Sequence, residues 1–163
     1  MERSQKYRRG IGVVLINSAG SVWAGRRSDF SGGSWQMPQG GIDPGEDVKS
    51  AFFRELEEET SIKPGMISLL AQSKEWISYN FPTSLANKVW SGRYIGQEHI
   101  WFLAYFKGSE IDINIETETP EFEDWCWMKP SDLVGQIIEF KQEAYTKVFR
   151  EFDVLIKKEI TYN

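Results

Sequence analysis

The chain has 163 residues, 40% of them hydrophobic and 14% aromatic, which is enough to bury the core of one globular domain, placed here at residues 1–163. Its net charge of −5 argues against a general nucleic-acid-binding protein, and its single cysteine, Cys126, excludes an internal disulfide framework or a cysteine-built zinc site. The apolar runs are far shorter than a membrane span and no secretory leader is visible. We therefore expect a cytoplasmic protein that does not contact a membrane. Oligomeric state leaves no readable mark, and a monomer is favoured.

The first predicted elements are two β-rich runs, IGVVLIN and SVWAGRR, which a short SAG turn joins into a hairpin from about residue 11 to 27. The next segment, residues 28–45, is dense in Gly, Ser and Pro, and this composition predicts a loop. From Asp47 to about Thr60 the composition becomes helical. In that helix Ala51, Phe52 and Leu56 are spaced to face a core.

The second half of the chain is predicted to contain strands and then a helix. The runs ISLLAQSKEWISYNF, HIWFLAYF and FEDWCWM are β-rich. A closing amphipathic helix follows, because apolar residues recur there at spacings of three and four: Ala144, Tyr145, Val148, Phe149, Phe152, Leu155 and Ile156. Many central strands with one helix in the middle and one at the end are typical of an α+β or three-layer α/β/α domain around a mixed sheet.

The middle helix carries an unusual group of carboxylates. Glu55, Glu58 and Glu59 lie at helical spacings that put them on one face, whereas Glu57 points away from it. Neighbouring carboxylates repel each other by roughly 1 kcal/mol per pair even in water. Two interpretations are open at this point. The run is either a solvated acidic face or a site for a hard cation such as Mg²⁺ or Mn²⁺, which binds carboxylate oxygens and reverses the repulsion.

The residues before the glutamates favour the cation site. The stretch from Gly40 to Ile62 resembles the signature of the Nudix hydrolases, which begins with Gly, continues after five residues with Glu, and after seven more reads Arg-Glu, aliphatic, any residue, Glu-Glu, any residue, Gly, aliphatic. The matching residues are Gly40, Glu46, Arg54, Glu55, Leu56, Glu58, Glu59 and Ile62. Ser61 stands where the family has Gly at the end of the helix. A serine in a left-handed conformation there costs on the order of 1 kcal/mol.

This resemblance implies a Nudix fold and hydrolysis of a phosphoanhydride bond by water with divalent cations, Mg²⁺ or Mn²⁺, and more than one ion. By the family pattern the metal ligands would be the carboxylates of Glu55, Glu58 and Glu59 and the carbonyl of Gly40. We expect Glu55 to activate the water. Arg54 would orient the glutamates by ion pairing, and Glu46 would support Arg54.

Further segments, among them SWQMPQGGIDPGE, YIGQEHIWFLAYF and PEFEDWCWM, resemble the bacterial RNA pyrophosphohydrolases and the related dinucleoside polyphosphate hydrolases of this family. By this resemblance Glu121 is a further glutamate at the metals. Arg8, Arg27 and Lys141 match positions that hold the triphosphate or the first nucleotides, and Phe140 matches one on which a base stacks, although a core role for Phe140 stays open. Tyr79 is a weaker candidate for lining the same groove.

Three functions follow as alternatives. The first is removal of pyrophosphate from 5′-triphosphorylated RNA, leaving a 5′-monophosphate. The second is asymmetric hydrolysis of diadenosine tetra- or pentaphosphate, which presents the same polyphosphate to the metals. The third is a Nudix module that binds nucleotides or RNA without cleaving them. Such modules usually lack a signature glutamate, and none is missing here.

Overall fold

The computed structural model describes residues 6–28 and 33–160, so residues 29–32 of the predicted loop and the two chain ends lie outside the described residues. The strands are β1 (Tyr7–Ile16), β2 (Val22–Arg27), β3 (Trp35–Gln36), β4 (Gln39–Gly41), β5 (Ile67–Gln72), β6 (Ile77–Asn80), β7 (Gly96–Phe106) and β8 (Phe122–Met128). The helices are α1 (Val48–Thr60), α2 (Thr83–Ala86), α3 (Pro130–Gln136) and α4 (Gln142–Glu159). Single turns of 3₁₀ type lie at Pro64–Met66, Val89–Gly92, Glu110–Asp112 and Glu139–Lys141.

These strands form one mixed sheet. Its main order is β3-β2-β1-β7-β5, while β4 pairs with β1, β6 with β7, and β8 with β2. The long central pair, β1 and β7, is parallel over its whole length, from Tyr7 opposite Gly96 to Ile16 opposite Tyr105. Strand β1 is buried from Gly10 onward and β7 along its whole length except Tyr105, and this explains their nearly continuous apolar sequences.

The two faces of the sheet are covered by different helices. Alternate side chains of β1 point to opposite sides, so Val13 packs in one cluster with Phe52 of α1, whereas Val14 packs in the other with Val148 of α4. Helices cover both faces, so the three-layer arrangement predicted from the sequence is confirmed. Both predicted helices are also confirmed. The apolar residues of α4 from which that helix was predicted are buried or half-buried.

The predicted hairpin and the predicted loop are both wrong in part. The turn between β1 and β2 forms, but these strands share only the pair Ile16 and Val22 before they diverge. The segment predicted to be loop supplies β3 and β4, which pair with β2 and β1 respectively. Strands of two and three residues show no alternation long enough to be read from the sequence. The glycine-rich segment therefore lies against β1, where it faces the carboxylates of α1.

Helix α1 begins and ends at defined caps. The Asp47 carboxylate accepts a hydrogen bond of 2.8 Å from the Ser50 N–H. At the other end Ser61 adopts the left-handed conformation that the family glycine would take, with φ of 66°. Its hydroxyl donates a hydrogen bond of 2.8 Å to the Asn114 carbonyl. This bond offsets part of the conformational cost that the sequence predicts.

Two substitutions separate these opposing effects at Ser61. We expect Ser61→Ala to lower the free energy of unfolding by about 1 kcal/mol, because the hydrogen bond is lost and the strain stays. Ser61→Gly should leave stability within about 0.5 kcal/mol of the parent, because relief of the strain compensates for the lost bond. Urea unfolding of the three proteins measures both values. Equal stability of the alanine and serine proteins would contradict a stabilising bond to Asn114.

No helix within residues 6–28 and 33–160 is both long enough and apolar enough to span a membrane.

Candidate active site

The first half of the candidate site is an arginine surrounded by acceptors. The Arg54 guanidinium donates to both carboxylate oxygens of Glu46, at 2.8 and 2.9 Å, and to the Gly41 carbonyl at 2.8 Å. Its Nη1 atom also donates to Glu55 at 3.1 Å and to Glu58 at 3.2 Å. Because Arg54 and the Asp43 N–H both donate to Glu46, the pKa of that carboxyl falls to about 2. One planar cation thus holds three glutamates against β4, Gln39–Gly41, which we call the glycine strand.

Of the signature carboxylates, Glu59 is buried and Glu55 is half-buried. The Glu59 residue is 7% exposed and the Glu55 side chain 14%. Burial raises the pKa of both carboxyls, and their mutual repulsion and the nearby Glu121 raise the pKa of Glu59 further. The nearby Gln39 backbone amide partly counteracts this rise in the pKa of Glu59. The Oε1 atom of Glu59 is buried without a hydrogen-bond partner among the described residues. An unpartnered buried carboxylate oxygen is costly, and a bound cation would offset this cost.

The other two predicted acidic ligands are more exposed. The side chains of Glu58 and Glu121 are 57% and 46% exposed. Glu121 arrives just before β8 and is near enough to raise the pKa of both Glu55 and Glu59. Glu57 is exposed, as expected from its position on the helix, but it borders the same open cavity as Glu55, Glu58 and Glu59.

Two of the three predicted cations lie next to this acidic group, and the third lies just beyond them. Arg27, at the end of β2, has its Nη2 atom 3.7 Å from a Glu121 oxygen. Its Nη1 atom donates to the Gln36 side-chain oxygen at 3.3 Å, and Lys141 Nζ donates to the same oxygen at 3.0 Å. Arg8, on β1, has its guanidinium against Gly41. The structure therefore brings Arg8 and Arg27 to a cavity that the carboxylates also line. Lys141 is buried and lies one step further away, joined to Arg27 through Gln36.

The two predicted aromatic residues lie together beyond these cations. The Phe140 and Tyr79 ring centroids are 5.6 Å apart, and Lys141 Nζ lies 5.5 Å from the Tyr79 ring. Tyr79 is buried, which raises its pKa to about 12. Phe140 is half-buried, so part of its ring packs on the core and part lines a groove.

Three cavities join these groups into one surface. A cavity of about 780 Å³ is lined by Glu55, Glu58, Glu59 and Glu121, among others. A second, of about 310 Å³, is bounded by Gly40, Arg8 and Arg27 and shares three of those glutamates. A third, of about 190 Å³, shares Arg27 with the second and is lined by Tyr79, Phe140 and Lys141. An anionic chain could thus run from the carboxylates past the cations to the aromatic rings.

The model of the NUDIX domain family matches residues 6–152. This chain belongs to the Nudix family. It is 46% identical to an RNA pyrophosphohydrolase of Roseobacter denitrificans over 147 residues, covering 90% of this chain and 92% of that one. It is 44% identical to an RNA pyrophosphohydrolase of Wolbachia pipientis over 161 residues, covering 98% of each chain. Its fold is similar to that of the E. coli dihydroneopterin triphosphate pyrophosphohydrolase, with a TM-score of 0.69, 18% identity, and coverage of 86% of this chain and 95% of that one.

Nudix hydrolases generally need a divalent metal, and the donor set of this Nudix chain suits one. Carboxylate oxygens are the ligands that Mg²⁺ and Mn²⁺ prefer, and Glu59 offers an oxygen without a partner among the described residues. Within residues 6–28 and 33–160, however, no three His, Cys, Asp or Glu side chains converge closely enough to form a ready-made metal site. Arg54 draws Glu55 and Glu58 toward itself, and the carboxylates repel one another. The ligand set therefore stays a prediction.

The sequence did not point to three residues that this Nudix site contains. Gln36 and Gln39 lie in the segment predicted to be loop, and a glutamine in such a segment gives no signal of its own. Trp90 lines both smaller cavities, but its position depends on an unusual backbone conformation. A polar residue flanked by cations in space, as Gln36 is, cannot be recognised before the strands are paired.

The glycine strand gives a direct test of this Nudix site. A Cβ atom at Gly40 would coincide with the Glu55 carboxylate, so Gly40→Ala must displace that side chain. We expect turnover to fall roughly 100-fold, since a displacement of about 1 Å is enough for such a loss. Gly65→Ala is the matched control, because no atom lies within 4 Å of the added methyl group. Parent-like turnover by the Gly40→Ala protein would show that activity does not depend on the position of the Glu55 carboxylate.

Proposed function

We infer that this protein hydrolyses the 5′-triphosphate end of RNA, releasing pyrophosphate and leaving a 5′-monophosphate. The observation that carries the inference is the high identity, over at least nine-tenths of the chain, to bacterial proteins named RNA pyrophosphohydrolase. The arrangement of the site supports it. Carboxylates, cations and aromatic rings follow one another along connected cavities in the order that metal ions, phosphates and a base would require.

The metal would be Mg²⁺ or Mn²⁺, with more than one ion bound. The proposed ligands are the carboxylates of Glu55, Glu58, Glu59 and Glu121 and the carbonyl of Gly40. Bound divalent cations neutralise phosphate charge and lower the pKa of water. This also explains how an acidic site accepts an anionic substrate.

Glu55 is the proposed general base. This side chain is half-buried and borders both acidic cavities, so a water that approaches the phosphate could reach it. Arg54 holds one Glu55 oxygen at 3.1 Å, and the second oxygen would take the proton. The proton passes to Glu55 and the water oxygen bonds to the α-phosphorus of the 5′-triphosphate. The bond between the α-phosphorus and the bridging oxygen breaks, and pyrophosphate leaves with its electrons.

The cations and aromatic residues would hold the rest of the substrate. Arg8, Arg27 and Lys141 supply positive charge for the phosphates that the metals do not neutralise. Phe140 offers a half-exposed ring beside Tyr79, and stacking of a base on such a ring contributes roughly 1–3 kcal/mol whatever the base. An enzyme that acts on many RNA 5′ ends needs this tolerance. Cytoplasmic location and a monomeric state stay predictions.

The test compares two substrates at equal concentration, a 5′-triphosphorylated RNA oligonucleotide and diadenosine tetraphosphate, with Mg²⁺ or Mn²⁺. We expect faster hydrolysis of the RNA, with pyrophosphate and 5′-monophosphorylated RNA as products. Hydrolysis of the dinucleotide alone would overturn the RNA assignment. No hydrolysis of either substrate by the parent protein would favour the non-catalytic alternative.

A further inference from the structure

The segment between β6 and β7 contains a left-handed turn. Trp90 has φ of 45° and ψ of 39°, Ser91 has φ of 57° and ψ of 32°, and Gly92 follows with φ of 74°. A tryptophan in this region is a real outlier, because its Cβ crowds the backbone. Trp90 is 43% exposed, so burial in the core is not the reason for the conformation. Strain of this kind persists where the surroundings fix it and is concentrated at functional sites.

The surroundings of the turn hold it from both ends. The Phe81 N–H donates to the Ile95 carbonyl at 2.8 Å, which ties the start of the segment to its finish. The Trp90 ring stacks on Phe81, with the centroids 6.0 Å apart and the planes 29° from parallel. The Arg93 N–H donates back to the Trp90 carbonyl at 3.1 Å. The position of the indole is therefore well determined even though much of its surface faces solvent.

The indole lies over a cation of the proposed phosphate site. The Arg8 guanidinium carbon is 4.6 Å from the centre of the Trp90 ring, a cation–π contact. The same guanidinium lies against Gly41, so closely that a Cβ atom there would overlap it. Arg8 is thus fixed by the glycine strand and the indole together. Trp90 also lines both the cavity bounded by Gly40 and the groove that contains Phe140.

We propose that Trp90 is a positioning residue that holds Arg8 toward the polyphosphate at the junction of the phosphate cavity and the aromatic groove. The inference rests on the proposed function, because it assumes that the phosphates occupy the cavity beside Arg8. An arginine left to rotate in solvent would lose conformational entropy on every binding event, and the stacked indole removes part of that loss beforehand. Trp90 therefore acts on substrate binding and not on the hydrolytic step.

The experiment is a double-mutant cycle on Arg8→Ala and Trp90→Leu. Leucine keeps apolar volume and removes the aromatic face. With 5′-triphosphorylated RNA, we expect Trp90→Leu to raise KM roughly fivefold to tenfold and to leave kcat within about twofold. Adding Trp90→Leu to the Arg8→Ala protein should raise KM no further, and Trp90→Phe should restore most of the parent value. Effects on KM that multiply, or a fall in kcat with unchanged KM, would overturn the proposal.

Trp76 supplies the matched control. It stacks on Arg9 with the guanidinium carbon 4.4 Å from its ring, but it lines none of the three cavities of the site. Trp76→Leu should leave KM unchanged. An increase equal to that of Trp90→Leu would mean that loss of any such stack weakens the fold, and would overturn the specific role.

A binding measurement separates this inference from the proposed function. Calorimetric titration with inorganic tripolyphosphate and Mg²⁺ needs no hydrolysis, and the same four proteins of the cycle can be compared. If the double variant loses no more affinity than the Arg8→Ala protein, the role of Trp90 is supported. If the parent protein at the same time does not hydrolyse RNA, the RNA assignment is rejected while the role of Trp90 stands. Independent losses of affinity would reject the role of Trp90, whether or not RNA is hydrolysed.

Discussion

The Glu55→Gln protein is expected to lose roughly 10²- to 10⁴-fold in turnover while it stays folded. Glutamine has the shape of glutamate and can still accept the hydrogen bond from Arg54, but it cannot take a proton from water or offer a charged oxygen to a cation. Because the pKa of Glu55 is raised in the folded protein, the ionised carboxylate lowers the stability of the fold at neutral pH. Replacing it with a neutral amide removes this unfavourable charge and so does not destabilise the fold electrostatically. We expect a change in unfolding free energy of less than about 1 kcal/mol.

Glu57→Gln is the matched control for this result. It removes the same charge from the same helix at an exposed residue. Helical geometry places Glu57 on a different side of the helix from Glu55, although it borders the same cavity. Turnover of that protein should equal the parent value. Similar losses for both substitutions would show that the total charge of α1, and not the position of Glu55, determines activity. Loss of folding in the Glu55→Gln protein would mean that the cluster is structural.

Arg54→Lys should lower turnover roughly 100-fold although the charge is conserved. The guanidinium makes hydrogen bonds with Glu46, Gly41, Glu55 and Glu58 at once, and the single nitrogen of lysine cannot reproduce this planar set. Glu55 and Glu58 would then repel each other without a fixed partner. The same change should lower Tm measurably, because acceptors that are now satisfied would lose their donor.

The control for Arg54 is Arg26→Lys. Arg26 pairs with Glu123 at 2.8 Å, and because these side chains are 40% and 47% exposed, the pair lies at the surface. Kinetics and thermal unfolding of the two lysine proteins should therefore differ clearly. Equal effects would contradict a special role for the Arg54 contacts, since a surface pair contributes little to stability.

The sequence predicts the long elements well because their patterns extend over many residues. Helix α4 repeats its apolar residues through five turns, and the carboxylates of α1 have spacings that define one face before any fold is known. The short strands β3 and β4 contain too few residues for a pattern. The main partner of β1 is also hidden, because β7 lies about 90 residues away and pairing at that distance leaves no local trace.

Less of the candidate site can be predicted than of the helix that carries it. The spacing of the acidic residues identifies Glu55, Glu58 and Glu59, but not that Glu59 is buried with an unpartnered oxygen. Resemblance to the family points to Lys141. Its hydrogen bond to Gln36, however, depends on the pairing of the short strand β3 with β2, which the sequence does not indicate. The positive φ of Trp90 has no sequence signal at all, since neither tryptophan nor serine favours that conformation.

Calorimetric titration of Mn²⁺ into the metal-free parent protein, in the absence of any nucleotide, tests most directly whether the clustered glutamates bind divalent cations. The parent and the Glu57→Gln protein should bind with the same affinity and stoichiometry. The triple variant Glu55→Gln, Glu58→Gln, Glu59→Gln should bind at least 100-fold more weakly while its circular dichroism spectrum is unchanged. Parent-like binding by the folded triple variant would contradict the account.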